Sequence, residues 1–272
     1  MRTYAILGAT GATGSSILQI LLENQASTNS IILHVYCRSR AKLLRQFPSI
    51  SSRPDVQIFE GSINDNDLMA ACLTGADAVF SCVAENENIP GMRTARDTCM
   101  AIITVLKQQA NGFQNPSPFR APHVVVLSAA PVNPVQTAKM PVIVRWLVIR
   151  AFSNVYADLR VTEQMYRNEK GWLPATFVQP PGLTPGPIQG HHIHHCESSE
   201  TPAFLSYLDL AAAMIEVADR GPDENYDWVA VTSLSKKGLK PDLKVLLPLQ
   251  LKGLLAHYFP RLWQSLHTHR WI

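Results

Sequence analysis

Three glycines at intervals of three residues follow the first apolar run of the chain, in the segment Gly8-Ala9-Thr10-Gly11-Ala12-Thr13-Gly14. The first glycine of such a motif permits a tight turn, the second lets the backbone approach a pyrophosphate, and the third lets the next helix pack close to the strand. The helix N-terminus then faces the negative charge. A glycine-rich turn without a ligand is the alternative, and the strand before the motif and the helix after it disfavour that alternative. We therefore predict a dinucleotide site formed by Gly8, Thr10, Gly11, Ala12, Thr13 and Gly14.

A basic turn follows the second apolar run, where Arg38, Ser39 and Arg40 precede Lys42. Sites selective for NAD place an acidic residue here to accept the ribose hydroxyls, and this turn contains none. Two guanidinium groups and an ammonium group favour a 2′-phosphate instead. The turn therefore predicts NADP(H) as the cofactor, with a solvated basic turn as the alternative.

The elements that must position these residues alternate between strand and helix. Strands are predicted at 3–8, 31–37, 56–60, 78–83, 123–128, 172–179 and 228–232. Helices are predicted at 15–24, 41–46, 65–73, 94–109, 142–152, 154–169 and 206–220. This alternation is typical of an α/β fold of the Rossmann type, a doubly wound parallel sheet with helices on both faces. We expect a mostly helical tail from Asp242 onward, interrupted at Pro248 and Pro260.

Composition sets the limits on domain number and on partners. The chain has 272 residues, of which 46% are hydrophobic and 17% charged, with a formal net charge of +3. This size predicts one Rossmann-type domain, with a dinucleotide-binding half at 1–130 and the catalytic helix, substrate loops and tail at 131–272. So small a charge excludes a strong electrostatic attraction to nucleic acid.

Cysteine usage and apolar run lengths point to the cytoplasm. Five scattered cysteines form no CxxC pair, which favours reduced thiols in an intracellular compartment. The N-terminal apolar run is too short for a signal peptide, and no later run is long enough to span a bilayer, so stable membrane insertion is not expected.

The sequence resembles the NmrA-like, atypical short-chain dehydrogenases/reductases. The resemblance is carried by Gly8, Gly11, Gly14, Arg38, the segments 60–63 and 80–84, and the later strands at 124–128 and 177–182. It implies contacts to adenine from Ser62 and Ile63, and a segment under the nicotinamide ribose at Val83 and Ala84. It also implies cofactor contacts from Pro180 and Gly182. The family usually has Asp where Ser62 stands. The resemblance covers residues 3–232, and the last forty residues are expected to form a small C-terminal extension.

For catalysis, the resemblance implies a serine after the fifth strand and a Tyr-x-x-x-Lys helix. Ser128 matches the serine, and Tyr156 matches the tyrosine, but Arg160 replaces the lysine. Spacing of four residues places Tyr156 and Arg160 on one helix face. A phenol beside a cation could protonate the alkoxide that carbonyl reduction forms. The alternative is that both are ordinary helix-surface residues.

Three segments have weaker implications. The run from His191 to Cys196 looks like a metal site, but adjacent side chains do not converge easily on one ion. We expect no metal there and predict a loop over the substrate cleft, in which a histidine could act as a general acid. The apolar segments 141–151 and 243–271 favour a hydrophobic pocket or a subunit contact over a membrane surface.

These features predict an NADP(H)-dependent oxidoreductase. Its substrate would be a hydrophobic small molecule, such as a natural-product intermediate, with a reacting C=O, C=N or C=C bond. A cyclase or isomerase without net redox is one alternative, which the replacement of lysine by Arg160 keeps open. A non-enzymatic, redox-sensing regulator that binds NADP(H) is the other. The oligomeric state is left open.

Overall fold

The computed structural model describes residues 2–28, 31–112, 119–195, 204–235 and 239–268. Its strands are β1 (Arg2–Leu7), β2 (Ile31–Cys37), β3 (Val56–Glu60), β4 (Ala78–Ser81), β5 (His123–Leu127), β6 (Ala175–Gln179), β7 (Leu183–Thr184), β8 (His191–His194), β9 (Leu205–Ser206) and β10 (Trp228–Ser233). Eight of them form one sheet in the order β3-β2-β1-β4-β5-β6-β10-β8, and β7 pairs with β9 separately. Every neighbouring pair in the large sheet is parallel except β10 and β8. The Rossmann-type fold is confirmed.

Helices cover both faces of the sheet. They are α1 (Ala12–Thr28), α2 (Arg40–Gln46), α3 (Asn66–Leu73), α4 (Thr94–Gly112), α5 (Pro134–Ala138), α6 (Val142–Ala151), α7 (Ser153–Asn168), α8 (Tyr207–Arg220), α9 (Leu243–Tyr258) and α10 (Pro260–Thr268). Buried side chains of α1, α2 and α8 form the core on one face, and those of α3, α4 and α7 form the core on the other. Because both faces are buried, strands such as β4 are apolar along almost their whole length.

The chain order of the strands reverses between β1 and β4, which lie side by side at the centre of the sheet. β1 leads on to β2 and β3 on one side, whereas β4 leads on to β5 and β6 on the other. Ligands of open α/β sheets bind at such a switch point, outside the carboxyl ends of the strands. This edge of the sheet is therefore where the candidate residues should be found.

Two sequence predictions need correction in the second half of the chain. Pro248 does not interrupt the tail, because α9 runs through it, whereas Pro260 does begin a new helix. The predicted strand at 172–179 starts only at Ala175, because Trp172 closes a turn by donating its N–H to the Glu169 carbonyl.

None of the helices in the described residues combines the length and the apolar character that crossing a membrane requires.

The histidine segment is also different from the prediction. Residues 191–194 form an edge strand antiparallel to β10, with His191 opposite Ser233, rather than a loop over the cleft. The edge of β10 would otherwise leave its backbone groups without partners, and β8 satisfies them. Cys196 and residues 197–202 of the predicted loop lie outside the described residues.

Candidate active site

The glycine turn between β1 and α1 abuts the end of β4. Gly8 has φ +86°, and a β-carbon there would lie 2.8 Å from the Cys82 carbonyl oxygen. The Gly11 N–H donates to the Gly8 carbonyl oxygen at 2.9 Å. A β-carbon at Gly14 would overlap that same oxygen. Close backbone approaches therefore require glycine at positions 8 and 14, whereas a β-carbon at Gly11 would lie 3.3 Å from the Gly8 carbonyl oxygen, a tight contact.

The first turn of α1 offers backbone donors at this point. The N–H groups of Ala12, Thr13 and Gly14 have no partner within the helix, because the first amides of a helix never do. Gly11 and Ala12 are exposed, Thr10 is half-buried and Thr13 is buried. These amides, the positive end of the helix dipole and the space that side chains do not fill suit a pyrophosphate.

The ends of β2 and β3 meet at the predicted basic turn. Ser39 caps α2 by accepting from the Lys42 N–H at 3.2 Å, which leaves Arg38 and Arg40 exposed on either side. The Arg40 N–H donates to the Glu60 carboxylate at 2.8 Å. Sequence reasoning noticed no carboxylate in this turn, because Glu60 belongs to β3 and reaches the turn only through the pairing of Cys37 with Glu60.

The turn after β3 presents its predicted adenine-contacting residues at the same edge. The Tyr36 hydroxyl donates to the Ser62 carbonyl oxygen at 2.7 Å, and the Gly61 N–H donates to the Cys37 carbonyl oxygen at 3.0 Å. Ser62 is exposed and Ile63 half-buried. The two bonds join the ends of β2 and β3, so this turn lies beside the basic turn.

The segment after β4 lies directly against the glycine turn. The Cys82 N–H donates to the Leu7 carbonyl oxygen at 3.0 Å, and a β-carbon at Gly8 would approach the Val83 nitrogen to 3.2 Å. Val83 is half-buried and Ala84 exposed. Burial raises the pKa of the Cys82 thiol to about 12, so this side chain is neutral beneath the site.

Ser128, which follows β5, belongs to a buried polar network. Its hydroxyl donates to Glu163 of α7 at 2.6 Å, and the same carboxylate accepts from Gln179 of β6 at 2.9 Å and from Arg167 at 3.0 Å. Gln179 accepts in turn from Asn133 at 3.0 Å. Ser128, Glu163 and Gln179 are all buried. Sequence reasoning missed this network, although Glu163 stands seven residues after Tyr156 and so on the same helix face.

Tyr156 lies in an apolar cluster beside that network. Buried Met92, Ala95, Val132, Val155 and Leu159 form the cluster with it, and Ile89, Ala129, Val148 and Phe152 pack against them. Burial raises the pKa of the Tyr156 phenol well above its ordinary value, and the charge of exposed Arg160 offsets only part of this. Among the described residues none forms a hydrogen bond with the Tyr156 hydroxyl. Tyr156 and Arg160 share a helix face as predicted, but only Tyr156 is buried.

Two buried polar side chains, neither predicted from the sequence, hold the helix that carries Tyr156. Asp158 accepts from the Ala95 N–H at 2.8 Å and pairs with Arg96 at 3.0 Å, which attaches α7 to the start of α4. Asn88, in the loop after β4, accepts from the Asn154 N–H at 2.7 Å and donates to the Gly253 carbonyl oxygen at 2.9 Å. The position of Tyr156 therefore depends on α4, on that loop and on α9.

Pro180 and Gly182, for which the resemblance implies cofactor contacts, follow β6. The buried Pro180 accepts from the Ala130 N–H at 2.9 Å. Gly182 is exposed, and a β-carbon there would approach the Phe204 ring to 2.5 Å. Since β1, β4, β5 and β6 are adjacent and parallel, Gly8, Val83, Ser128 and Pro180 follow neighbouring strands along one edge of the sheet.

The histidines of the segment 191–196 that the structure describes make their contacts away from Tyr156. His191 pairs with Glu216 of α8 at 2.8 Å, and His195 stacks on Tyr226 with 3.8 Å between ring centroids. Within the described residues no group of three or more His, Cys, Asp or Glu side chains could hold a metal ion. The structure gives these histidines partners outside the Tyr156 cluster.

Comparison with known families gives a match that includes the glycine turn and continues into the second half of the chain. A family model described as NAD(P)H-binding matches residues 8–220. The relative named Oxidoreductase ordB, of Dothistroma septosporum, is 41% identical over 260 residues, which cover 96% of this chain and 93% of the relative. Oxidoreductase stcQ of Emericella nidulans is 37% identical, with 99% of this chain and 96% of the relative covered. Such coverage takes in the last forty residues, so the C-terminal extension has a counterpart in a relative.

Among solved structures, a short-chain dehydrogenase/reductase of Veillonella parvula in complex with NADP has the same fold. Its TM-score is 0.64 at 18% identity, and the match covers 89% of this chain and 99% of that one. At this identity the likeness concerns the fold alone, and it agrees with the strand order described above.

Proposed function

This chain belongs to the NAD(P)H-binding family and is an oxidoreductase of the short-chain dehydrogenase/reductase fold, and from that premise we propose that it is an NADP(H)-dependent reductase of a hydrophobic small molecule. The observation that carries the proposal is Tyr156, a phenol surrounded by apolar side chains that include Met92 and Val132, which lie in the segments that follow β4 and β5. The oxidoreductase relatives favour this function over an isomerase without net redox and over a regulator without activity.

The preference for the phosphorylated cofactor rests on the basic turn. Arg38 and Arg40 are exposed beside the end of β2, where the ribose 2′-position is read in this fold. A guanidinium group binds a phosphate through paired, charge-assisted hydrogen bonds. The Glu60 carboxylate is engaged by the Arg40 amide, which leaves the two guanidinium groups as the side chains that would meet a 2′-phosphate.

The proposed chemistry divides between cofactor and chain. When bound, the cofactor supplies a hydride to an electrophilic carbon of a C=O, C=N or C=C bond. Tyr156 then donates its phenolic proton to the heteroatom or carbon that becomes basic. The surrounding Val132, Phe152 and Met92 exclude water and favour an apolar substrate. Ser128 would orient the reacting group, and its own hydroxyl is oriented by Glu163.

The raised pKa of Tyr156 suits a donor. Because burial favours the neutral phenol, the proton remains on Tyr156 at neutral pH and is lost only above its ordinary pKa of about 10. Deprotonation removes the donor, so the rate of reduction should be flat through neutral pH and should fall on the alkaline side.

The test is NADPH oxidation with a panel of apolar ketones, imines and enones, followed by absorbance. With Tyr156→Phe we expect kcat to fall about 100-fold while the Kd for NADPH is unchanged, since a general acid contributes at least this much. Tyr226→Phe is the matched control, because the Tyr226 ring stacks on His195 away from the cluster. Full turnover in Tyr156→Phe would rule out Tyr156 as the proton donor. Product formed without consumption of NADPH would refute the reductase.

A further inference from the structure

The exposed apolar side chains of this protein are concentrated on three helices. Of the seventeen large hydrophobic residues that are exposed among the described residues, eleven lie on α6, on α9 or at the α9–α10 junction and α10. We call them the α6–α9–α10 surface, and they are Val142, Ile143, Val144, Trp146, Leu243, Val245, Leu247, Leu251, Tyr258, Phe259 and Leu262. Apolar patches of this kind mark interaction sites more often than isolated exposed residues do.

The packing of these helices does not use the exposed residues. α9 crosses α6 so closely that a β-carbon at Gly253 would overlap the Ala151 carbonyl oxygen. Ala256 and Trp263 are buried on the inner sides of α9 and α10, and Val148 packs toward Tyr156. In contrast, Ile143 is 81% exposed and Leu251 67% exposed. The outward residues are therefore free to meet a partner without rearrangement of the fold.

The charge of the same helices has one sign. The helices α6, α9 and α10 together carry five lysines and arginines and no Asp or Glu, so their formal charge of +5 exceeds the +3 of the whole chain, and the remainder is net negative. Asp242 precedes α9 and caps it by accepting from the Lys244 N–H. Within the described part of the chain, Arg145, Lys244 and Lys252 form no ion pair with a carboxylate.

We propose that the α6–α9–α10 surface docks this protein onto an anionic lipid membrane. Helices that present Leu, Val, Trp and Phe together with Lys and Arg insert their apolar side chains at the headgroup boundary while the cations meet anionic headgroups. Arg150, stacked on the Trp146 ring at 4.8 Å, combines both roles in one pair of residues. α6 and α9 are too short and too basic to span the bilayer, so the protein lies on the surface.

The positive charge of the α6–α9–α10 surface also disfavours a second copy of the chain as its binding partner. A two-fold dimer would place this surface against itself, and so would bring Arg145 and Lys252 toward their own copies without carboxylates to balance them. A membrane bearing phosphatidylserine supplies the opposite charge. Docking in this orientation would bring α6, which packs on Tyr156, close to the lipid phase where apolar substrates dissolve, a consequence that rests on the proposed function.

Flotation of the full chain with lipid vesicles tests the docking independently of any activity. We expect association with phosphatidylcholine–phosphatidylserine vesicles, weakening as salt is raised, and far less association with pure phosphatidylcholine. The double variant Ile143→Gln/Leu251→Gln should bind roughly tenfold more weakly, because each residue is exposed and its loss removes apolar burial in the membrane. Met100→Gln, a nearly isosteric change at an exposed position of α4, is the matched control and should bind like the wild type.

Trp146 provides a second readout, since its fluorescence should shift to the blue on binding anionic vesicles and the shift should disappear in Trp146→Phe. Thermal melting of each variant establishes that it is folded. The proposal is overturned if the wild type does not float with anionic vesicles, if it binds neutral vesicles equally well, or if the folded double variant floats like the wild type. It is also overturned if sedimentation shows a dimer that Ile143→Gln dissociates, because the surface would then be a self-contact.

Discussion

The glycine turn and the Tyr156 cluster are built in opposite ways. Gly8, Gly11 and Gly14 act within seven residues of sequence, and one further segment, Cys82 and Val83, completes their surroundings. The Tyr156 cluster draws on the loop after β4, on α4, on the residues after β5 and on α6 and α7, and Asn88 links it to α9. A site defined by backbone approach is thus encoded locally, whereas a site defined by side-chain packing depends on residues far apart in the chain.

The largest effect is expected at the local site. In Gly14→Ala the new β-carbon would overlap the Gly8 carbonyl oxygen and displace the turn, so we expect the Kd for NADPH to rise at least about 100-fold. Calorimetric titration with NADPH measures this. Gly171→Ala is the control, because a β-carbon there meets nothing within 4 Å. If Gly14→Ala bound NADPH normally, the backbone account of the turn would be wrong.

The distributed site should respond to a change outside it. Gly253→Ala forces α9 away from Ala151, and we expect the free energy of unfolding to fall by about 2 kcal/mol, as overpacked sites do. Urea denaturation measures the loss, and kcat should fall because Asn88 bonds to Gly253 and to the start of α7. NADPH affinity should not change, since the glycine turn is separate. Gly112→Ala, at the open end of α4, serves as the comparison, and an equal urea midpoint for both variants would contradict the prediction.

Cofactor selectivity should depend on the basic turn alone. Replacing both Arg38 and Arg40 by Ser removes the two exposed guanidinium groups, and we expect the preference for NADPH over NADH to fall about tenfold, or about 1.4 kcal/mol. Competition binding of the two cofactors checks the ratio. Arg45→Ser, at an exposed position of α2, which follows the basic turn, should leave the ratio of NADPH to NADH affinity unchanged. An unaltered ratio in the double variant would assign selectivity to other residues.

The smallest expected effect concerns the buried network under Ser128. Glu163→Gln keeps an oxygen that accepts from the Ser128 hydroxyl but removes the negative charge that faces Arg167. Arg167 still has its ion pair with Asp227 at 2.7 Å. We expect a loss of about 1 kcal/mol in the free energy of unfolding and a modest fall in kcat. Glu169→Gln removes the charge that faces Lys107 in a more exposed ion pair and should cost less. Equal losses in the two variants would argue against a special role for Glu163.

Much of the N-terminal half could be predicted, and the reason is local. The bounds of β2 and β3 agree with the prediction, since short apolar runs between turn residues define strands in a sheet buried on both faces. The second half agreed less well. The sequence predicted a loop where the edge strand β8 lies, since this segment becomes a strand only by pairing with the free edge of β10. The helix α9 continues through Pro248 because packing on α6 stabilises it.

The candidate site divides in the same way. Tyr156 and Ser128 were identified through a family resemblance, but the bond from Ser128 to Glu163 and the bonds by which Asp158 and Asn88 hold α7 were not, because these bonds join residues more than thirty positions apart. Glu60 lies in the segment 60–63 that carries the resemblance, at the end of β3, and only strand pairing brings it to the Arg40 amide.

The sequence by itself determined the fold class, the glycine turn and the basic turn, because backbone conformation and charge sign follow from residue types within a few positions. Only the tertiary structure decided that Tyr156 is buried while Arg160 is exposed, that Ser128 donates to a carboxylate, and that an apolar, cationic surface on α6, α9 and α10 faces outward. These features arise from the way separate helices cross, and that crossing is set by packing across the whole chain.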